Sequence, residues 1–281
     1  MIAGLGRLYD RLDGLWHDAR VQRALGSVLI ATFLAALVVI EAGRRGWLPA
    51  GVGALVPGNH LYAVSLAFNF LLFIELVGLV FSLAGSVANS VGKHCEIFAL
   101  ILLRETFKQL THATEPVTWA ALDPWVVPML ADAAGALLIF VIMGLYYRAQ
   151  RHAAITRGIE DQASFVLLKK GIALLLVLGF VGIAADRPPA FFAAAYTLLI
   201  FADVLIVLIS LRYNPTFRVA FRYLGFAVAT LFLRIALTAP PPIDALLGVG
   251  AALFAYGLTI AYNAFAPVLG PDRGGTRAAA G

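Results

Sequence analysis

Charge is scarce in this chain. Asp, Glu, Lys and Arg make up 13% of its 281 residues, against about 25% in an ordinary soluble domain. Hydrophobic residues reach 61% and mean hydropathy is +0.88, a balance that excludes a freely soluble globular fold. Cysteine is nearly missing as well. Cys95 stands alone, so an internal disulfide and a multi-cysteine metal cluster are both impossible. The five histidines, His17, His60, His94, His112 and His152, all fall near the ends of apolar runs. Haem ligation needs two facing histidines at similar depth, so neither a cofactor nor a metal is assigned. HExxH, P-loop and GxSxG signatures are lacking too, and no residue is assigned as catalytic. The formal net charge of +5 does not point to nucleic acid, because the basic residues cluster at the ends of apolar runs, where they anchor helices.

What the chain has in abundance is long apolar runs. A helix needs about 20 residues to cross roughly 30 Å of hydrocarbon. Runs at 24–40, 62–83, 95–108, 125–147, 171–185, 191–211, 223–237 and 244–266 qualify or nearly do. The expected fold is all-α: a polytopic membrane helix bundle of about eight transmembrane helices, with the lipid bilayer as its first partner. Residues 1–23 place Leu5, Leu8, Leu12, Leu15 and Trp16 at helical spacing, the pattern of an interfacial amphipathic helix. They carry both charge signs, so no cleavable signal peptide is expected. A first four-span half follows at 24–149, a cytoplasmic basic connection at 150–170, a second four-span half at 171–268 and a disordered Gly/Ala-rich tail at 269–281.

Orientation follows from the basic residues. With the N-terminus inside, 15 of the 21 Lys and Arg fall on inner segments and only Arg44, Arg45, Lys108 and Arg187 on outer ones. The positive-inside rule then places both termini in the cytoplasm and the chain in a cytoplasmic (inner) membrane.

Ionisable residues within apolar runs are costly and usually retained for function. Glu75 lies in FNFLLFIELVGLVF and Arg104 in EIFALILLRETF; Asp203 lies in FAAAYTLLIFADVLIVLIS and Arg234 in FAVATLFLRIAL. The two hairpins align, LLFIELV over LIFADVL and ILLR over LFLR. This suggests a four-helix repeat used twice in parallel orientation. Within each hairpin the acid and the arginine are expected at a common depth, hence as carboxylate–arginine pairs. Glu96, Asp132 and Lys108 are secondary candidates. Ser82, Ser86, Asn89 and Ser90 form a small polar stripe suited to close helix packing.

Two functions follow from this pattern. The pairs are either the centre of a small-ion or proton-linked channel or transporter, or they pin helix register in a non-transporting membrane subunit or scaffold that docks a partner protein. A homo-oligomer or a membrane-complex partner fits either reading. An intramembrane enzyme has no supporting motif.

Overall fold

The computed structural model describes residues 2–84, 87–111, 118–150, 159–186, 191–213 and 216–265. Ser86, His112, His152, residues 151–158 of the basic connection and the tail at 269–281 lie outside them. Among the described residues all regular structure is helical. In chain order the helices are α1 (Ile2–Trp16), α2 (Ala19–Arg44), α3 (Ala50–Gly53), α4 (Leu61–Leu83), α5 (Val87–Leu110), α6 (Trp119–Ala149), α7 (Ile159–Asp186), α8 (Phe191–Tyr213), α9 (Phe217–Ala236) and α10 (Ile243–Ala264).

Seven of them, α2, α4 and α6 to α10, are long and apolar enough to cross a bilayer. The chain is therefore an all-α, multi-pass integral membrane protein. The eighth long helix, α5, carries Lys93, Glu96, Arg104, Glu105 and Lys108 and does not reach that hydropathy. It packs instead against α4, α6, α9 and α10, which keeps most of its length off lipid. By contrast α2 buries only Ile40 and turns Val28, Ile30, Leu34 and Val38 outward, as a helix on the lipid-facing edge of the bundle does.

Close approach at the centre depends on small residues. A Cβ on Gly135 of α6 would stand 2.8 Å from the Ala245 Cβ of α10. One on Gly248 of α10 would collide with the Phe98 ring of α5, and one on Gly92 of α5 with the Tyr147 ring of α6. Without a hydrophobic drive between helices in lipid, contacts this close are a main source of association.

At one end of the bundle α1 folds back onto the spans. Its amphipathic face is used there: Tyr9 is buried and donates its hydroxyl to the Phe81 carbonyl at 2.6 Å, and Trp16 stacks on the Phe81 ring at 5.8 Å. Asp10 pairs with Lys170 of α7 at 2.6 Å. Burial first, then the nearby Asp13 carboxylate, raises the Tyr9 hydroxyl well above its usual titration range, so it remains a donor. Tyr9→Phe removes this single buried hydrogen bond. It is expected to cost about 1 kcal/mol, read as a lower unfolding midpoint in detergent; an unchanged midpoint would mean that the tyrosine is not docked.

Several helices start earlier than the hydropathy pattern, and in three of them polar residues in the added turns are the reason. The helix α5 begins at Val87 rather than near 95, and α9 begins at Phe217 rather than near 223. The extra turns hold Ser90, Lys93, His94, Arg218 and Arg222, whose polarity lowers hydropathy although neighbouring helices cover them. Arg218 and Arg222 both lie over the Tyr262 ring, at 4.2 and 4.3 Å. Likewise α7 begins at Ile159, so Lys169 and Lys170 belong to a helix and Lys169 is buried. The small-residue stripe is divided by the turn at Ala84: Ser82 ends α4, while Asn89 and Ser90 begin α5, so these residues do not share one helix face.

Candidate functional site

The four intramembrane charges do not pair as the hairpin alignment predicts. Arg104 stands 17 positions into α5 (87 to 104) and Arg234 stands 17 into α9 (217 to 234), which at about 1.5 Å per residue is roughly 25 Å along each helix. Measured from the same end, Glu75 is 8 positions up α4 (83 to 75) and Asp203 is 10 up α8 (213 to 203), or about 12 and 15 Å. Among the described residues no ion pair joins Glu75 to Arg104 or Asp203 to Arg234. The early starts of α5 and α9 carry both arginines past the acids.

Each charge has another partner. Glu75 lies 3.7 Å from Lys93, which also contacts Glu96 at 2.8 Å. The Tyr147 hydroxyl donates to Glu96 at 2.7 Å. This group is partly exposed, with about a third of each carboxylate side chain accessible, so its charges offset one another at the bundle surface. Arg104 contacts Glu105 at 3.0 Å, and Lys108 contacts the second oxygen of the same carboxylate at 2.9 Å. Asp132 is fully buried and accepts from the Gln109 amide at 3.1 Å through one oxygen; the other has no hydrogen-bond partner among the described residues. Within the stripe, Ser82 donates to the Leu79 carbonyl and Ser90 is buried.

Asp203 faces His94. Its Oδ2 stands 3.7 Å from the imidazole Nε2, and both side chains are almost completely buried, at 7% and 4% exposure. The other ring nitrogen, Nδ1, lies 2.9 Å from the Ser90 carbonyl. A carbonyl only accepts, so Nδ1 carries a hydrogen, and it is Nε2 that faces Asp203. Neither Nε2 nor Oδ2 has a hydrogen-bond partner among the described residues. Thr230 of α9 also lies against the Asp203 carboxylate. Three helices thus converge on one polar point inside the bundle, and a proton is what its two facing atoms can share.

In the sequence His94 falls near a span end and is not among the site candidates. The signal that would have found it is its spacing of four from Ser90, which places both on one face if the helix begins at Val87.

Above this point, at the end of the bundle where α4 and α8 begin and α5 and α9 finish, lies a cavity of about 460 Å³. Arg104, Lys108 and Arg234 line it with Glu105 and Asp244, and Leu72, Phe98 and Leu102 give it an apolar wall. The two arginines, which the alignment treats as equivalents, therefore open into the same space. Among the described residues no group of three or more His, Cys, Asp or Glu side chains could hold a metal ion.

The fold and site define the protein as an integral, multi-pass membrane protein with an interior acid–imidazole contact. Comparison with protein-family models, with curated proteins and with solved structures gives no match.

Proposed function

We propose that this protein is a proton-linked small-ion transporter in which Asp203 and His94 carry the proton. The observation that supports it best is the pair itself. Two ionisable groups from α8 and α5 face each other in the bundle interior, each with an atom that no other group satisfies among the described residues. Burying such atoms has a free-energy cost that a purely structural role would relieve by a direct hydrogen bond. At 3.7 Å the contact is instead one that a small movement of α8 against α5 closes or opens. One proton can sit on the carboxyl, giving two neutral groups, or on the imidazole, giving an ion pair. Net charge is the same in both, so the transfer leaves no uncompensated charge buried, and the ion-paired form is opposed only by the desolvation of its two partners.

The cavity beside Arg104 and Arg234 provides the opening on one side. The equal positions of these arginines along α5 and α9, and the contacts of α5 with α9 and of α6 with α10, favour two four-helix halves about an axis along the membrane normal. Arg7, Arg11, Arg20, Arg23, Arg148, Arg212, Arg218 and Arg222 gather at the opposite end. By the positive-inside rule this supports a cytoplasmic location for that end and for both termini, in an inner membrane.

Purified protein in liposomes under an imposed proton gradient tests the reading, with an entrapped pH-sensitive dye. Wild-type protein is expected to pass protons above the protein-free background, Asp203→Asn and His94→Gln to remove that flux, and Glu75→Gln to leave most of it, since Glu75 belongs to the surface group with Lys93. Wild-type liposomes no leakier than empty ones would sink transport and favour the docking subunit instead.

A further inference from the structure

We infer that the cavity bounded by Arg104 and Arg234 binds a small monocarboxylate with an apolar body. Three basic side chains, Arg104, Lys108 and Arg234, face two acidic ones, Glu105 and Asp244, so the lining leaves one positive charge to be matched. Glu105 is already shared between Arg104 and Lys108. Asp244 accepts from the Ala245 backbone N–H at 2.7 Å. That leaves Arg234. Among the described residues its polar contact is the Thr197 hydroxyl at 3.4 Å, and no carboxylate lies within ion-pair distance of it. Arg234 lines the cavity, and a guanidinium offers the planar fork that matches a carboxylate's two oxygens.

A single negative charge completes this balance, whereas a dianion would exceed it. The rest of the wall is apolar, with Leu72, Phe98 and Phe192 facing the charged rim. A volume of about 460 Å³ lies at the lower end of the range for small-molecule sites. The carboxylate would rest on Arg234 and the hydrocarbon part on Phe98 and Leu72. Such an acid has two sources, the aqueous phase as a short-chain acid or the bilayer as a fatty acid, and the group recognised is the same in both. This deepens the transport reading, since a carboxylate entering from one side is a natural companion for a proton, but binding alone does not depend on Asp203 or His94.

The test is equilibrium binding of radiolabelled hexanoate to the full-length protein in zwitterionic nanodiscs, with oleate as competitor. Saturable hexanoate binding is expected, weakened at least tenfold in Arg234→Gln and retained in Asp203→Asn. Hexanoate should also slow phenylglyoxal modification of Arg234 in wild-type protein, mapped by mass spectrometry, a readout that stands even if the Arg234 variant does not assemble. Binding of oleate without hexanoate would assign the site to a membrane-borne acid. Absence of saturable binding by both acids, or hexanoate affinity unchanged in an assembled Arg234→Gln protein, would overturn the inference. Hexanoate binding without proton flux in wild-type liposomes would remove the transport reading and leave the site, while flux without binding would do the reverse.

Discussion

Asp203→Asn is expected to lower proton flux by about a hundredfold or more, the scale at which a positioned proton donor or acceptor contributes, while the purified protein stays monodisperse. The amide keeps the shape of the carboxyl and removes its acidity. His94 then faces no titratable group at Nε2, and the path is broken at the buried ionisable contact between α5 and α8. A purely structural pair behaves differently. If Asp203 and His94 only fix helix register, the asparagine can still donate to Nε2, and stability rather than flux should respond. A double-mutant cycle with His94→Gln separates the two. In a relay the second substitution adds little to the flux loss of the first, because either one already interrupts it. Independent losses that multiply would show that the residues do not act as a unit.

Gly248→Val is the largest expected effect on assembly. At Gly248, α10 crosses α5 where Phe98 is 3% exposed, and Ile139 of α6 is fully buried beside it. A Cβ would overlap the Phe98 ring and stand 3.2 Å from the Ile139 Cδ1. Ile139 is enclosed, so the strain falls on the Phe98 ring, which must be displaced toward the cavity it lines. Overpacking of this kind costs about 1–3 kcal/mol and sometimes more, so the detergent unfolding midpoint should fall by several degrees, with Gly248→Ala showing a smaller loss. Gly250, two positions on, has nothing within 4 Å of its added Cβ. Gly250→Ala should therefore be neutral or slightly stabilising, since alanine is favoured over glycine in a helix by up to about 1 kcal/mol. Equal midpoints for Gly248→Val and wild type would refute the close crossing of α10 over α5.

The spans were legible because length and apolarity are properties of a single segment. The run at 62–83 becomes α4 (Leu61–Leu83) almost unchanged, and that at 191–211 becomes α8. Helix starts were less so. Lys93 and His94 depress local hydropathy as loop residues would, and only the packing of neighbours around α5 shows that they belong to a helix. Glu75, Asp203, Arg104 and Arg234 could be singled out for the same reason as the spans, being ionisable groups set in apolar text. Their partners could not, because pairing depends on helix height and on which helices touch. Six to eight residues of unread helix were enough to separate both arginines from both acids. Asp203 finds its counterpart on α5, from the other half of the sequence, an encounter that no alignment of one hairpin on the other contains.

The docking of α1 has a mechanical consequence. Through Phe81 it grips the fourth helix, and through Lys170 the seventh, so a clasp joins the early and late parts of the chain at one rim. If those parts tilt against each other, the clasped rim acts as the fulcrum, and displacement grows with distance from it. The greatest opening would then fall at the far rim, between Arg104 and Arg234.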